Sequence, residues 1–151
     1  MLNKYLKYFF LFAILVAIDQ YIKYIFVNGY YKQGDCISLV LAYNKGVAFS
    51  MFAFLAEYLK YIQISIMLIG FIYLLNNKEI LRLYILPISL IFAGGISNIF
   101  DRFIREGVVD YVYWHCGFDF AIFNFADVII DISIVLILYI SYKQEKQKIN
   151  I

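Results

Sequence analysis

Residues 121–142 read AIFNFADVIIDISIVLILYISY. This run is mostly apolar, and its length lies within the roughly 17 to 25 residues that an α-helix needs to cross a bilayer. Its polar groups include Asn124, Asp127 and Asp131, whose i, i+3 and i+7 spacing places them on one face of a helix. The stretch therefore predicts a membrane-spanning helix with one polar stripe that faces other helices.

Three further stretches have a similar length and composition, with a polar break between each pair: residues 5–26, 58–75 and 83–100. The first resembles a secretory signal, but no small-x-small cleavage site follows it, and Asp19, Gln20 and Lys23 lie near its end. We interpret it as an uncleaved helix. The predicted fold class is an α-helical integral membrane protein with four transmembrane helices.

The overall composition agrees with this fold class. Hydrophobic residues make up 64% of the 151 residues and charged residues 16%, whereas average globular chains have about 45 to 50% and about 25%. Together with a mean hydropathy of +0.78, these values exclude a water-soluble domain. The net charge of +2 gives no reason to expect a nucleic-acid partner. At this length we expect a single membrane-embedded domain, residues 1–151.

The cysteine and histidine content argues against metal or thiol chemistry. Cys36 and Cys116 are too few for a disulfide framework or a zinc site, although they can form one bridge. His115 precedes Cys116 directly, and adjacent side chains in an extended chain do not face each other as a nucleophile and its base must. We therefore expect no metal and no cofactor.

The links between the spans differ in length. The link at residues 76–79 is short, whereas residues 27–57 and 101–120 form two long segments on the opposite side. The side with the short link and both termini has seven Lys and Arg in 23 residues, against five in the 59 residues of 26–60 and 101–124. By the positive-inside rule we expect cytoplasmic termini and two outer segments.

The first outer segment has the pattern of strands. Residues 35–43 and 47–52 are rich in β-formers, and the turn-forming Asn44-Lys45-Gly46 separates them. We expect a small hairpin at the outer membrane surface.

Ionisable residues at membrane depth are functional candidates because each is costly there. Five carboxyl groups lie at or near that depth: Asp19, Asp101, Asp110, Asp127 and Asp131. All except Asp131 are expected near the outer ends of the spans. Asp131 is expected in a buried position one turn deeper.

Some of these groups have a plausible structural role. Asp19 and Lys23 are four residues apart and can pair on one helix face, with Lys23 snorkelling outward. Asp101 and Arg102 follow Asn98 at the end of the third span. There Arg102 either positions a carboxylate or caps main-chain carbonyl groups.

Asp110 and Asp127 suit a specific reaction if they meet. Asp110 lies in an extended, aromatic run, GVVDYVYW at residues 107–114. An ionised carboxylate can take a proton from water while a protonated neighbour donates to the carbonyl group under attack. Sequence spacing alone does not bring the two together, so a proton or ion pathway and a buried structural pair remain open alternatives.

The same polar residues occur in five motifs that resemble those of the lipoprotein signal peptidase family, also called signal peptidase II. The motifs, in chain order, are DQYIK at 19–23, NKGVAFS at 44–50, GGISNIFDR at 94–102, VVD at 108–110 and FNFAD at 123–127. Two departures stand out. Ser97 occupies a position where the family usually has glycine, and Asp131 matches no family position.

The resemblance implies a bacterial intramembrane aspartyl endopeptidase with a small extracytoplasmic β-cradle and a second extracytoplasmic segment. It implies a multi-pass protein of the cytoplasmic membrane that cuts diacylglyceryl-modified prolipoproteins just before the lipidated lipobox cysteine, with its active site near the extracytoplasmic face. Globomycin-type inhibitors and membrane lipid are the other implied partners, and a monomer is expected. The implied roles are catalytic for Asp110 and Asp127, orienting for Asn44, Asn98, Arg102 and Asn124, and supporting for Asp19, Lys23, Gly46 and Asp101.

Two other functions are compatible with the residue chemistry. A small transporter or proton-conducting protein would use buried Asp and Lys residues to relay charge. A non-catalytic assembly subunit would need the polar groups only for packing. A cleavage assay on a diacylated prolipoprotein separates both from a peptidase.

Overall fold

The fold is mainly helical with one small sheet. A computed structural model describes residues 2–46, 51–105 and 107–149. In chain order the elements are α1 (Leu2–Val27), β1 (Ile37–Asn44), α2 (Ala56–Asn76), α3 (Lys78–Leu83), α4 (Ile85–Ile104), β2 (Val108–Trp114) and α5 (Phe125–Ile149), with one 3₁₀ turn at Ala53–Leu55 before α2.

Four helices in the described ranges, α1, α2, α4 and α5, are long and apolar enough to cross a membrane. The predicted fold class is therefore confirmed. All of the helix boundaries differ from the predicted spans by one to seven residues, and two of the starts have a local reason. Helix α5 begins at Phe125 rather than residue 121 because Phe123 pairs with Val112 beside the sheet. Helix α4 begins at Ile85 because Leu83 ends the separate short helix α3.

The sheet pairs one strand from each of the two long segments between the spans. β1 pairs with β2 in antiparallel register, from Ile37 opposite Trp114 to Asn44 opposite Val108, with an irregularity between Leu39 and Ala42. The predicted hairpin is wrong about the partner of β1: β2 takes that place. Residues 47–50 lie outside the described residues, and the two that follow them form a turn rather than a strand.

Two features hold this sheet in register. At one end a disulfide joins Cys36, just before β1, to Cys116, just after β2. At the other end Gly107 lets the chain pass close to β1, since a Cβ atom there would lie 2.7 Å from the carbonyl oxygen of Asn44. Asp110, in the middle of β2, is thereby placed at a defined position.

The sheet packs against the end of α1 through aromatic rings. Phe26 and Tyr111 stack with ring centroids 4.3 Å apart, and Val109 completes this buried cluster. The Tyr111 hydroxyl oxygen accepts a hydrogen bond from the main-chain N–H of Phe125 at 2.9 Å. The cluster therefore connects β2 to the end of α1 and to the beginning of α5.

Helices α4 and α5 approach closely at Gly94. A Cβ atom at Gly94 would lie 2.6 Å from the carbonyl oxygen of Ala126 and 2.7 Å from Cγ1 of Ile130. Only glycine, which has no Cβ atom, fits at this contact. Small residues of this kind are common where membrane helices pack closely. The contact sets the position of the first turn of α5.

A buried cation lies at the centre of the helices. Lys23 is 0% exposed, so the expectation that it snorkels outward is wrong. Its Nζ lies 2.7 Å from Asp19 Oδ2 and 2.8 Å from Asp101 Oδ2, and it donates to Asn98 Oδ1 at 2.8 Å. Because the ammonium group has three N–H donors, three partners match its full capacity.

The two carboxylates around Lys23 also bind main-chain groups of other elements. Asp19 Oδ1 accepts from the N–H of Ala126 at 2.9 Å, and Asp101 Oδ2 accepts from the N–H of Val109 at 3.1 Å. Arg105 forms an ion pair with Asp101. Two carboxylates and two cations thus form a neutral cluster that links α1, α4, β2 and α5.

We expect Gly94→Ala to destabilise the protein by about 1–3 kcal/mol, because the added methyl group meets a main-chain oxygen that cannot move away. Gly70→Ala is the matched control, since a Cβ atom at Gly70 meets nothing within 4 Å. Alanine there is expected to be neutral or to stabilise helix α2 by up to about 1 kcal/mol. Thermal unfolding of the purified variants in detergent measures both, and equal melting temperatures would contradict this account of the α4–α5 contact.

We expect Lys23→Met to lower the free energy of unfolding by about 3–5 kcal/mol, because it leaves two buried carboxyl groups without their shared cation. Lys146→Met replaces an exposed lysine of α5 and is expected to change stability by less than about 0.5 kcal/mol. The comparison uses chemical or thermal unfolding in the same detergent. Indistinguishable unfolding of the two variants would show that the buried cluster does not stabilise the fold.

Candidate active site

The first turn of α5 fixes the position of Asp127. Asn124 precedes the helix, and its Oδ1 accepts from the main-chain N–H of Asp127 at 2.9 Å. In return, Asp127 Oδ2 accepts from the main-chain N–H of Asn124 at 3.1 Å. This reciprocal arrangement is a capping box, in which two otherwise unpaired N–H groups of the helix end are satisfied. The local sequence Asn-x-x-Asp therefore orients the Asp127 carboxyl group.

The same asparagine also holds Asp110. Asn124 Nδ2 donates to Asp110 Oδ1 at 2.6 Å, and Asn44 Nδ2 donates to Asp110 Oδ2 at 3.1 Å. Asn124 thus contacts both carboxyl groups, one from β2 and one from α5. The structure brings together the two aspartates that the sequence pattern singles out.

Asn98 connects this pair to the buried cation. Lys23 can only donate, so the amide of Asn98 turns its Oδ1 toward Lys23 and its Nδ2 toward Asp127. Asn98 Nδ2 donates to Asp127 Oδ1 at 2.9 Å, and Asn98 Oδ1 also accepts from Asn124 Nδ2 at 3.3 Å. The polarity of Lys23 thereby determines which group Asn98 presents to Asp127.

Both carboxyl groups line one cavity of about 300 Å³. The apolar residues of its lining include Val108, Ala121, Ile122 and Ile130. The polar residues of its lining come from β1, β2 and three helices: Asn44, Gln63, Asn98, Arg102, Asp110, Asp127 and Asp131. The cavity can therefore hold water next to an apolar chain.

The Asp110 carboxyl group is only 2% exposed. Burial, together with the nearby negative charge of Asp127, raises the pKa of this group to about 7, against the opposing effect of donation from Asn44 and Asn124. Near neutral pH a substantial share of Asp110 is therefore protonated. A protonated and an ionised carboxyl group side by side can act as acid and base in one reaction.

Arg102 holds the chain that follows β1. Its Nη2 donates to the carbonyl oxygen of Gly46 at 2.5 Å, and its Nη1 donates to the carbonyl oxygen of Asn98 at 3.4 Å. The N–H of Gly46 in turn donates to Asn44 Oδ1 at 3.0 Å. Of the two functions expected for Arg102, binding of main-chain carbonyl groups is the one observed. Through Gly46 this contact supports the amide that binds Asp110.

Asp131 differs from the expectation that it is buried. Its side chain is exposed on the surface of the chain and lines the cavity one helical turn beyond Asp127. The stripe formed by Asn124, Asp127 and Asp131 therefore faces an open space at its far end rather than packed helices.

Sequence reasoning missed two polar residues. Arg105 contacts Asp101 and also donates to Gln20 Oε1 at 3.0 Å, and Gln63 lines the cavity from α2. The signal for Arg105 was its i+4 spacing from Asp101. For Gln63 the signal was an uncharged polar residue inside an otherwise apolar span.

The residues around His115 have separate interactions. Cys116 forms the disulfide with Cys36, and His115 Nε2 lies 2.9 Å from Ser38 Oγ. Neither residue lines the cavity that holds the two aspartates. Within the described ranges, no three His, Cys, Asp or Glu side chains group so as to hold a metal ion.

Two solved structures have the same architecture. A bacterial membrane enzyme determined by the in meso method at 2.3 Å resolution superposes with a TM-score of 0.81 at 26% identity, covering 94% of this chain and 91% of that one. Another, determined at 1.9 Å resolution, gives a TM-score of 0.73 at 26% identity, covering 88% and 90%.

Sequence comparison identifies the family. Lipoprotein signal peptidase of Sulfurimonas denitrificans is 52% identical over 145 residues, covering 93% of this chain and 94% of that protein. The enzyme of Helicobacter pylori strain 26695 is 45% identical over 141 residues, covering 92% and 90%. The family model for signal peptidase (SPase) II matches residues 11–143. The chain therefore belongs to the signal peptidase II family, the bacterial membrane proteases that remove signal peptides from prolipoproteins.

Proposed function

We propose that this protein cuts diacylglyceryl-modified prolipoproteins immediately before the lipidated lipobox cysteine, with water activated by Asp110 and Asp127. The observation that carries the proposal is the attachment of both carboxyl groups to Asn124 at one cavity. Family membership supports the substrate class, and the paired carboxyl groups support the aspartyl mechanism.

The two aspartates take different roles in this mechanism. Asp127, whose oxygens accept from Asn98 and from the N–H of Asn124, is the ionised base that takes a proton from water. Asp110, whose pKa is raised to about 7 by burial, is the protonated partner that donates to the carbonyl oxygen of the cleaved bond. The water attacks the carbonyl carbon to give a tetrahedral diol. As the C–N bond then breaks, Asp127 passes the proton taken from water to the leaving amine, and Asp110 takes back a proton from a hydroxyl group of the diol.

The surrounding amides act as orienting groups in this proposal. Asn44 and Asn124 hold Asp110, Asn98 and Asn124 hold Asp127, and Arg102 stabilises the Gly46 segment beside them. Asp19, Lys23 and Asp101 support the site from the buried cluster. Rigid donors of this kind limit the carboxyl groups to geometries that suit attack by water.

The proposed orientation places the active site near the extracytoplasmic face and both termini in the cytoplasm. The disulfide between Cys36 and Cys116 supports this because such bridges form in oxidising compartments and are rare in the cytosol. The sheet that it closes includes Asp110. The higher density of Lys and Arg around the termini and the short link also supports cytoplasmic termini.

The proposal also covers the partners of the site. A cavity lined by apolar side chains as well as by two carboxyl groups suits a lipid-anchored peptide that reaches the enzyme within the membrane. Globomycin-type inhibitors would occupy the same cavity, no cofactor takes part, and the enzyme acts as a monomer. The whole chain works as one membrane-embedded unit.

We expect Asp110→Asn and Asp127→Asn each to lower kcat by about 10²- to 10⁴-fold or more, because an amide neither accepts a proton from water nor shares one. The assay is cleavage of a diacylated prolipoprotein by purified protein in detergent. Asp131→Asn is the matched control, since it changes a carboxyl group of the same cavity that lies about 6 Å further along α5.

The control is expected to keep most of the activity. If Asp131→Asn is as inactive as the other two variants while still folded, the assignment of the catalytic pair is wrong. If none of the three changes cleavage, the aspartyl mechanism is wrong. Absence of cleavage by the unaltered protein would contradict the proposed reaction as a whole.

We expect kcat/KM to fall as the pH rises above about 7, because Asp110, with a pKa raised to about 7, then loses the proton that the reaction needs. Asn44→Ala removes a donor that favours the ionised form of Asp110, so the alkaline limb of the profile should move to higher pH. The measurement is kcat/KM between about pH 5 and pH 9 for both proteins. An alkaline limb that is unmoved in the variant, or that moves to lower pH, would contradict the assignment of Asp110 as the acid.

A further inference from the structure

Gln63 lines the cavity without a partner of its own. Its Oε1 is buried and has no hydrogen-bond partner among the described residues. Buried polar groups are nearly always paired, and each exception calls for an explanation. Other residues of the same cavity have hydrogen-bond partners, namely Asn44, Asn98, Asp110 and Asp127. Arg102 Nε is the other buried atom of this lining without a partner among the described residues, but the remaining nitrogens of Arg102 bind main-chain carbonyl groups, whereas Gln63 makes no such contact.

Gln63 lies further from the sheet than Asp127, measured along the helices that carry them. It is the eighth residue of α2, which begins at Ala56, and Ala56 lies beside Gly107 near the sheet. Seven residues of helix correspond to about 10 Å. Asp127 is the third residue of α5, which corresponds to about 3 Å from that helix end. Helix α5 also begins at the sheet, since the main-chain N–H of its first residue donates to the Tyr111 hydroxyl oxygen. Measured along the two helices from the sheet, Gln63 is therefore about 7 Å further than Asp127.

The substrate of the proposed reaction needs a partner at this depth. A peptide bond is open to attack by water only where the chain is unwound, and an unwound chain in hydrocarbon leaves its N–H and C=O groups unpaired, which is costly. A glutamine side chain has one acceptor and two donors in one plane. It can therefore pair with the N–H and the C=O of one residue, as a neighbouring strand does.

The depth indicates which residue of the substrate is bound. An extended chain advances about 3.3 Å per residue, so about 7 Å corresponds to two residues. The apolar signal peptide precedes the cleaved bond and continues into the membrane, so deeper positions correspond to earlier residues. We propose that Gln63 is a substrate-binding residue whose side-chain amide pairs with the main-chain N–H and C=O of the signal-peptide residue about two positions before the cleaved bond.

This inference rests on the proposed cleavage reaction but is tested separately from it. Gln63→Met keeps the length of the side chain and removes both polar functions. We expect KM to rise by about five- to tenfold, as for loss of one or two hydrogen bonds, with kcat nearly unchanged, since the contact is made before and during the reaction alike. The control in the same helix is Ser65→Ala, whose hydroxyl group donates only to the carbonyl oxygen of Tyr61.

A second measurement uses the unaltered enzyme and changes the substrate instead. An ester replaces the amide whose N–H belongs to the second residue before the cleaved bond, which removes one donor with little change in shape. The unaltered enzyme should process this ester substrate with a KM several-fold higher than that of the amide substrate. Gln63→Met should process both substrates with the same KM.

The outcomes separate the two proposals. A several-fold ester penalty in the unaltered enzyme that disappears in Gln63→Met supports the assignment. An equal penalty in both proteins, or no penalty in the unaltered enzyme, overturns it even though cleavage occurs. If the unaltered enzyme cleaves neither substrate, the proposed function itself fails, and the role of Gln63 fails with it.

Discussion

The ammonium group of Lys23, held away from water, is the interaction on which the rest of the structure depends. A cation at membrane depth is costly unless every one of its donors is matched by an acceptor. Asp19, Asp101 and Asn98 supply those acceptors, and the two carboxylates also bind the beginnings of α5 and β2. One buried charge therefore positions the elements that carry Asp127 and Asp110.

The buried polar side chains form a series of contacts, and each residue in the series limits the orientation of the next. Lys23 orients Asn98, which presents its amide N–H to Asp127. The capping box then couples Asp127 to Asn124, and Asn124 binds Asp110. Networks in which each donor meets an acceptor are rigid as well as stable. Such rigidity keeps the Asp110 and Asp127 carboxyl groups in a fixed arrangement.

The lining of the cavity suits both water and an apolar peptide. Removal of a signal peptide needs water, whereas the apolar part of a signal peptide stays near the hydrocarbon. A cavity lined by both carboxyl groups and apolar side chains meets both needs. The sheet contributes to it because β2 carries Asp110 inward while the disulfide closes its outer end.

The sequence by itself determined the four spans, since their length and apolarity leave a bilayer as the only suitable solvent, and it indicated the polar residues of the site because charges at that depth are rare. It also encoded the capping box, which is a local pattern of Asn124 and Asp127. Only the tertiary structure decided that β1 pairs with β2, that Lys23 is buried rather than directed outward, and that Asp131 and Gln63 face the cavity. These features depend on contacts between residues far apart in the chain, and local periodicity carries no information about which distant groups meet.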